Sequence, residues 1–341
     1  MDRDTKFLGE SIAFLDAIER ASRAAGLNRP VLVIGERGTG KELIAERLHR
    51  LSPRWSGAFV TLNCAALPET LIEAELFGHE AGAFTGATKM RQGRFEEADG
   101  GTLFLDELAT LSSGAQERLL RAVEYGEVTR IGSSRAIRVD VRIVAATNEH
   151  LPDLVERGRF RADLLDRLSF EVVTLPPLRF REGDVPVLAD YFGQRIGFEL
   201  GWKGWPGFTP AAMAELTSYG WPGNVRELRN VVERAVYRWD EPERAIEGIE
   251  FDPFASPWRP QGAAAKPAMT VQPGPAEPMI VAEDVSDFRA ATEAYERKLL
   301  EAALKRCRYN QRHTAAALSL TYDQLRHALR RHSLLDRQPA S

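Results

Sequence analysis

The 341-residue sequence holds only two cysteines, Cys64 and Cys307, far apart along the chain. That scarcity excludes a disulfide framework. Neither cysteine stands at metal-ligand spacing from a partner, so a reducing compartment is expected. No apolar run approaches the length needed to cross a bilayer. The opening stretch MDRDTKFLGESIAFLDAIER is charged throughout and has no signal-like apolar core. The expectation is a cytoplasmic protein without membrane insertion. An overall surplus of positive charge is also missing: the formal net charge is −4, so any nucleic-acid binding must be encoded locally. No internal repeat is present. What remains is an ordinary soluble composition, 44% apolar and 28% charged, in a chain too long for a single core.

Proline is unevenly spread. Seven of the 19 prolines fall in residues 252–283, with alanine and glycine between them. Proline removes backbone donors and blocks helix, so this stretch reads as a Pro/Ala-rich linker. Before it, VLVIG (31–35), FVTLN (59–63), TLFLD (102–106) and RIVAATN (142–148) are short apolar runs, each but the first ending in a polar residue. Separated by helical stretches, they predict an α/β fold with a parallel sheet buried on both faces, and a ligand at the carboxyl ends of its strands. Residues 184–240 read as helical, with the stop signal Trp221-Pro222-Gly223-Asn224 inside them, and predict a small helical lid. The expected division is 1–178 for the α/β part, 179–251 for the lid, 252–283 for the linker and 284–341 for a C-terminal domain.

Gly35-Glu36-Arg37-Gly38-Thr39-Gly40-Lys41 follows the first strand and opens a helix. In that context glycines let backbone amides turn around phosphates, the helix dipole favours their charge, and Lys41 reaches the β/γ oxygens. Glu42 stands where Ser or Thr commonly supplies a hydroxyl to Mg²⁺, so metal binding leans on water and another carboxylate. Asp106, ending the strand TLFLD, suits that place, and Glu107 beside it suits the polarising of an attacking water. Thr147 and Asn148, at the end of their strand, read as sensors of the γ-phosphate or as a plain turn. Arg161 and Arg167, six apart in RFRADLLDRL, read as solvated helix arginines or, in a ring ATPase, as fingers entering a neighbour's site.

From Arg297 to Arg337 ten Lys/Arg stand against three acids, a local balance of +7 on an acidic chain. YERKLLEAALKR, QRHTAAAL and YDQLRHALRRH read as three helices, with Ser319-Leu320-Thr321 as the turn and Leu325 and Leu329 facing inward. This pattern predicts a tight helix-turn-helix of the Fis type, with Thr321 capping its recognition helix. Tyr322, Gln324, Arg326 and His327 are candidates for base edges or nearby phosphates, and Arg312, Arg330 and Arg331 for phosphates.

The stretch ELFGHEAGAFTGA presents an aromatic between glycines in a loop, poor chemistry for a core but suited to a mobile contact tip. Its hexapeptide Gly82-Ala83-Phe84-Thr85-Gly86-Ala87 resembles the signature of sigma-54-dependent activators, the bacterial enhancer-binding branch of the AAA+ ATPases. GERGTGKE, FVTLNCAAL, GGTLFLDEL, FRADLLDRL and WPGNVRELRNVVERAV resemble further blocks of that family, and together the likeness spans nearly all of residues 7–250. It implies ATP and Mg²⁺ as cofactors, a homo-hexameric ring, and partners in sigma-54, RNA polymerase and enhancer DNA. It implies that Lys41 binds phosphate, Asp106 metal, and that Glu107 activates water with Asn63 as its switch partner. Thr147 and Asn148 match the family's first sensor, Arg161 and Arg167 its fingers, and Arg226 its second sensor. Phe84 and Thr85 match the tip that grips sigma-54, and residues 130–138 the second surface loop. Glu42 is then the family's usual residue, whereas Phe180 stands where a polar one is expected. Trp55 resembles the position at which phage-shock activators are held by a PspA-type inhibitor, and is otherwise ordinary packing. The ATPase block begins within about ten residues of Met1, so no receiver domain is expected and control falls to a partner in trans or is absent.

The leading expectation is an activator in which ATP hydrolysis drives remodelling of the sigma-54 polymerase closed complex, at phage-shock promoters. The alternative is an AAA+-fold DNA-binding repressor or scaffold without remodelling. A general AAA+ chaperone or helicase loader would not carry the 82–87 loop.

Overall fold

The computed structural model describes residues 7–254, 288–307, 310–318, 320–332 and 334; the expected linker, apart from residues 252–254, lies outside them. The chain divides into two compact units, Met1–Arg259 and Pro260–Ser341.

The first unit begins with α1 (Ile12–Ala25), β1 (Val31–Ile34), α2 (Lys41–Arg50), β2 (Phe59–Asn63), α3 (Glu69–Phe77), α4 (Arg94–Glu97) and β3 (Thr102–Asp106). It continues through α5 (Ser113–Tyr125), β4 (Glu127–Thr129), β5 (Ala136–Arg138), β6 (Arg142–Thr147), α6 (Leu151–Glu156), α7 (Ala162–Leu168) and β7 (Glu171–Thr174). Five strands form a parallel sheet in the order β2-β3-β6-β1-β7. Its register pairs Asn63 with Asp106 and Ile34 with Thr147, so the polar strand ends align along one edge. Strand β7 was not among the runs singled out by sequence, and 130–138 is more than a loop: β4 and β5 pair as an antiparallel ribbon.

Alternation along each strand explains the burial on both faces. Leu32, Leu103, Leu105, Ile143 and Ala145 pack with Leu76, Leu119, Leu151 and Leu164 on one face. Their neighbours Val31, Val33, Phe104, Val144 and Ala146 pack with α1 and α2 on the other, through Phe14, Ala21, Ile44 and Leu48. Side chains of period two with both sets apolar leave no solvated face, which dictates helices on each side.

The lid follows as α8 (Asp184–Glu199), α9 (Pro210–Ser218) and α10 (Asn224–Tyr237). Trp221, 1% exposed, fills its core with Leu188, Leu216, Leu228 and Val232. Thr209 caps α9 through Ala212 N–H, with Pro210 at the first helical position.

The second unit holds α11 (Phe288–Arg306), α12 (Gln311–Ala317) and α13 (Tyr322–Arg331). Its small core is Leu300, Leu304, Ala315, Leu325, Leu329 and Leu334. Thr321 and Gln324 form a reciprocal capping box at the start of α13. Among the described residues, no helix is long and apolar enough to cross a membrane.

Candidate nucleotide site and contact loops

The turn from β1 to α2 needs backbone that only glycine adopts easily: Gly38 has φ +80° and Gly40 φ +101°. Lys41 opens α2, buried, and its Nζ donates to Gly35 O at 2.9 Å and Glu36 O at 3.3 Å. Burial pushes its pKa down, while Asp106 and Glu107 oppose that shift. The Lys41 ammonium is therefore held above the loop and within the field of the two acids.

Arg37, Gly38, Lys41, Asn63, Asp106, Glu107 and Arg226 line one pocket of about 310 Å³. Asp106 Oδ1 accepts from Glu107 N–H at 3.0 Å. Glu107 has φ +53°, an uncommon conformation for a glutamate, and its carboxylate lies 3.5 Å from Arg37 Nε. Asn63 is in register with Asp106, but its side-chain oxygen accepts from Ala65 N–H at 2.9 Å, with no hydrogen bond to Glu107 among the described contacts. Cys64 follows, buried, its thiol pushed up to about 12 by burial and the nearby acids, so it stays protonated and inert.

Thr147 is buried at the end of β6; its carbonyl accepts from Gly35 N–H at 3.2 Å and its hydroxyl from Glu149 N–H at 3.0 Å. This ties the end of β6 to the glycine-bearing loop of residues 35–41, the P-loop between β1 and α2. Asn148 and Glu42 are exposed. Thr39 is buried and donates its hydroxyl to Glu36 O at 2.8 Å. Arg161 stands just before α7, its side chain paired with Asp163 at 2.7 Å and making no cap; Arg167 is paired with Glu124 at 2.6 Å. Neither lines the pocket of its own chain.

Sequence reasoning missed a second layer of this site. Glu36 accepts two hydrogen bonds from Arg179, at 2.9 and 2.6 Å, and one from Asn224 Nδ2 at 3.0 Å. With Arg179 the larger cause, its pKa falls to about 2. The stop signal at 221–224 was visible in the sequence, but its approach to Glu36, 188 positions earlier, was not.

The 82–87 loop turns on Gly82 (φ +81°) and Gly86 (φ +102°), closed by Gly82 N–H to Ala87 O at 2.7 Å. Phe84 is 39% exposed and meets the His79 ring edge-on at 5.0 Å. The loop rests on the β4–β5 ribbon: Glu80 N–H bonds Ile131 O, and Arg130 joins Glu80 and Glu96. Those two carboxylates hold the Arg130 pKa above its ordinary value. Trp55 is 68% exposed, and Phe180, also exposed, lies 5.1 Å under the Arg179 guanidinium.

In the second unit, Arg326, His327 and Arg330 are exposed. Gln324 is engaged in the capping box, Tyr322 OH donates to Gln311 at 3.3 Å, and Arg331 is paired with Glu296 at 2.8 Å. The side chain of Arg312 lies outside the described residues.

Three family descriptions match the chain in order: the sigma-54 interaction domain over residues 7–174, an AAA+ ATPase lid domain over 179–254, and the bacterial regulatory protein Fis family over 292–332. The Psp operon transcriptional activator of Escherichia coli K12 is 52% identical over 327 residues, covering 96% of this chain and 98% of that protein. The transcriptional regulatory protein ZraR of Klebsiella oxytoca is 53% identical over 229 residues, 67% of this chain; the chain spans about half of that longer protein, 52%. The crystal structure of NtrX from Brucella abortus in complex with ATP superposes with a TM-score of 0.66 at 31% identity, covering 96% of this chain and 70% of that one.

Proposed function

The chain belongs to the sigma-54-dependent transcription activators of the AAA+ class, and from that premise we propose how its own residues do the work. It is an ATPase that activates sigma-54 transcription and carries a Fis-type DNA-binding unit. The observation that carries the residue assignments is the convergence of Lys41, Asp106, Glu107 and Arg226 on one pocket at the carboxyl edge of the sheet.

Lys41 and the amides of residues 35–41 hold the ATP phosphates, and Arg226 brings the lid to them. Asp106, which lines the pocket with Oδ1 accepting from Glu107 N–H, would hold a Mg²⁺ that takes its other ligands from phosphate and water. When bound, the ion supplies charge neutralisation for the transferred phosphoryl group. Glu107 orients and deprotonates the attacking water once its contact with Arg37 is exchanged. Asn63, one strand away, exchanges its Ala65 contact for Glu107 as the γ-phosphate comes and goes.

Arg161 and Arg167 sit outside their own pocket, which supports their use as fingers in the next subunit of a hexameric ring. Such an arginine accelerates hydrolysis by about 10³–10⁵. Motion at the pocket passes along β3 and the β4–β5 ribbon to the 82–87 loop. There Phe84 and Thr85 press on sigma-54 and remodel the closed RNA polymerase complex. Psp-type promoters are the targets, a PspA-type inhibitor docks at exposed Trp55, and the protein acts in the cytoplasm. Arg326, His327 and Arg330 face enhancer DNA. Tyr322, Gln324, Arg331 and Arg312 join them where their present contacts can be shared or exchanged, and Thr321 fixes the helix start.

The test is transcription in vitro from a sigma-54 promoter with wild type and Thr85→Ala. The variant is expected to hydrolyse ATP normally and to open no promoters; normal opening would falsify the loop assignment and favour a scaffold.

A further inference from the structure

The first turn of α10, in the lid, is bonded directly to the P-loop. Asn224, fully buried with φ +54°, uses its whole side-chain amide: Oδ1 accepts from Leu178 N–H at 2.8 Å, and Nδ2 donates to Glu36 at 3.0 Å and Arg37 O at 3.1 Å. The next residue, Val225, donates its N–H to Gly38 O at 3.0 Å. A Cβ on Gly38 would collide with Gly223 O, so the two segments are in direct contact. Trp221, at φ +46°, is a second strained non-glycine residue in the same turn. Such outliers persist only where the surroundings over-determine them, and they gather at functional sites.

Because a trans peptide places its C=O and N–H on opposite sides, fixing the Arg37 carbonyl toward the lid turns the Gly38 N–H the other way. That is the orientation an anion-receiving loop needs. Glu36 braces the arrangement from outside, clamped by Arg179, whose guanidinium is itself supported by the Phe180 ring. Phe180, the residue that departs from the expected pattern, thus has a place in this chain.

We propose that Asn224 is a positioning residue: through Glu36, Arg37 and Gly38 it sets the nucleotide-receiving shape of the P-loop according to the seating of the lid, and so governs how tightly nucleotide is held, not how fast it is cleaved. This rests on the pocket being the ATP site, which titrating the wild type with a fluorescent ADP analogue tests separately. Asn224→Asp keeps the volume and the acceptor for Leu178, but turns an oxygen toward Glu36 and the Arg37 carbonyl.

The expected result is a loss of affinity of about tenfold or more for both fluorescent ADP and ATP analogues, a matching rise in KM, and kcat at saturation within about threefold of wild type; tenfold corresponds to about 1.4 kcal/mol. Adding Glu36→Gln to Asn224→Asp supplies a donor across the 3.0 Å contact and is expected to restore part of the affinity. Arg179→Gln, at an exposed side chain where misfolding is not at issue, is expected to weaken binding by about threefold. Unchanged affinity in Asn224→Asp and Arg179→Gln overturns the proposal. So does a fall in kcat and melting temperature with KM unchanged, the signature of a purely structural role. A wild type that binds no nucleotide would instead sink the functional reading itself.

Discussion

Replacing Asp184 by asparagine tests the polar node that fastens the N-terminal segment to the start of α8. The Asp184 carboxylate is fully buried and accepts from Glu10 N–H at 2.6 Å, Ser11 N–H at 2.9 Å, Ser11 Oγ at 3.2 Å and Arg181 Nε at 2.6 Å. Arg181, 3% exposed, also donates to Leu8 O and lies 3.6 Å from the Phe14 ring centroid. Burial lowers the Arg181 pKa and Asp184 opposes that shift, so the guanidinium is tolerated because its counter-charge is there. Asparagine keeps the shape but loses the charge, and its NH₂ faces donors. Removing one partner of a buried pair costs about 3–5 kcal/mol. At roughly 2–4 °C per kcal/mol for a unit of this size, the melting temperature should fall by roughly 6–20 °C.

Calorimetric melts of the full chain would read that shift in the first unit's transition. A change under about 2 °C would refute the reasoning, since an uncompensated buried arginine cannot be that cheap. Arg181→Met with Asp184→Leu removes both charges, yet leaves the Glu10 and Ser11 N–H groups without acceptors, at about 1–3 kcal/mol each. Only part of the loss should return.

Lys41→Ala is expected to abolish nucleotide binding, whereas Glu107→Ala should bind ATP and not hydrolyse it; equilibrium binding beside phosphate release separates the two, and a hydrolysing Glu107→Ala would remove it as the base. Glu36, with its pKa lowered to about 2 from 4.5, stabilises the fold fully above its unfolded value and loses that contribution as pH falls toward 2. The stability gap between wild type and Glu36→Gln should therefore hold steady above about pH 5 and close below it; closure between pH 7 and 5 would contradict the Arg179 clamp. Removing residues 284–341 should leave ATPase activity but lose enhancer affinity. The intact chain's binding should fall with salt at a log–log slope of about 0.9 per phosphate contacted, and unchanged affinity on truncation would move DNA recognition elsewhere.

The P-loop, the Asp106-Glu107 strand end and the three C-terminal helices could be read directly, because each is written in contiguous residues whose spacing the backbone geometry fixes. Strand β7 was harder. Its four residues, Glu171–Thr174, bury a single side chain fully, since it lies at the sheet edge, and so lack the continuous apolar run of a central strand. The β4–β5 ribbon was hidden for a similar reason: three-residue strands carry too few positions to show a period. The present partners of polar side chains were hidden in another way. Gln324 caps its own helix through Thr321 three residues back, and Arg331 pairs with Glu296 thirty-five residues back, contacts that helix geometry and packing decide.

By itself the sequence determined the sheet's two apolar faces, the phosphate loop, the acidic strand end and the glycine-flanked tip, all consequences of local periodicity and backbone chemistry. The tertiary structure decided what holds them in place: Glu36 between Arg179 and Asn224, Asp184 beneath the N-terminal segment, and Arg130 under the tip. Those partners lie tens to nearly two hundred positions apart. No pattern along a chain can announce a contact that exists only once folding has brought distant segments together.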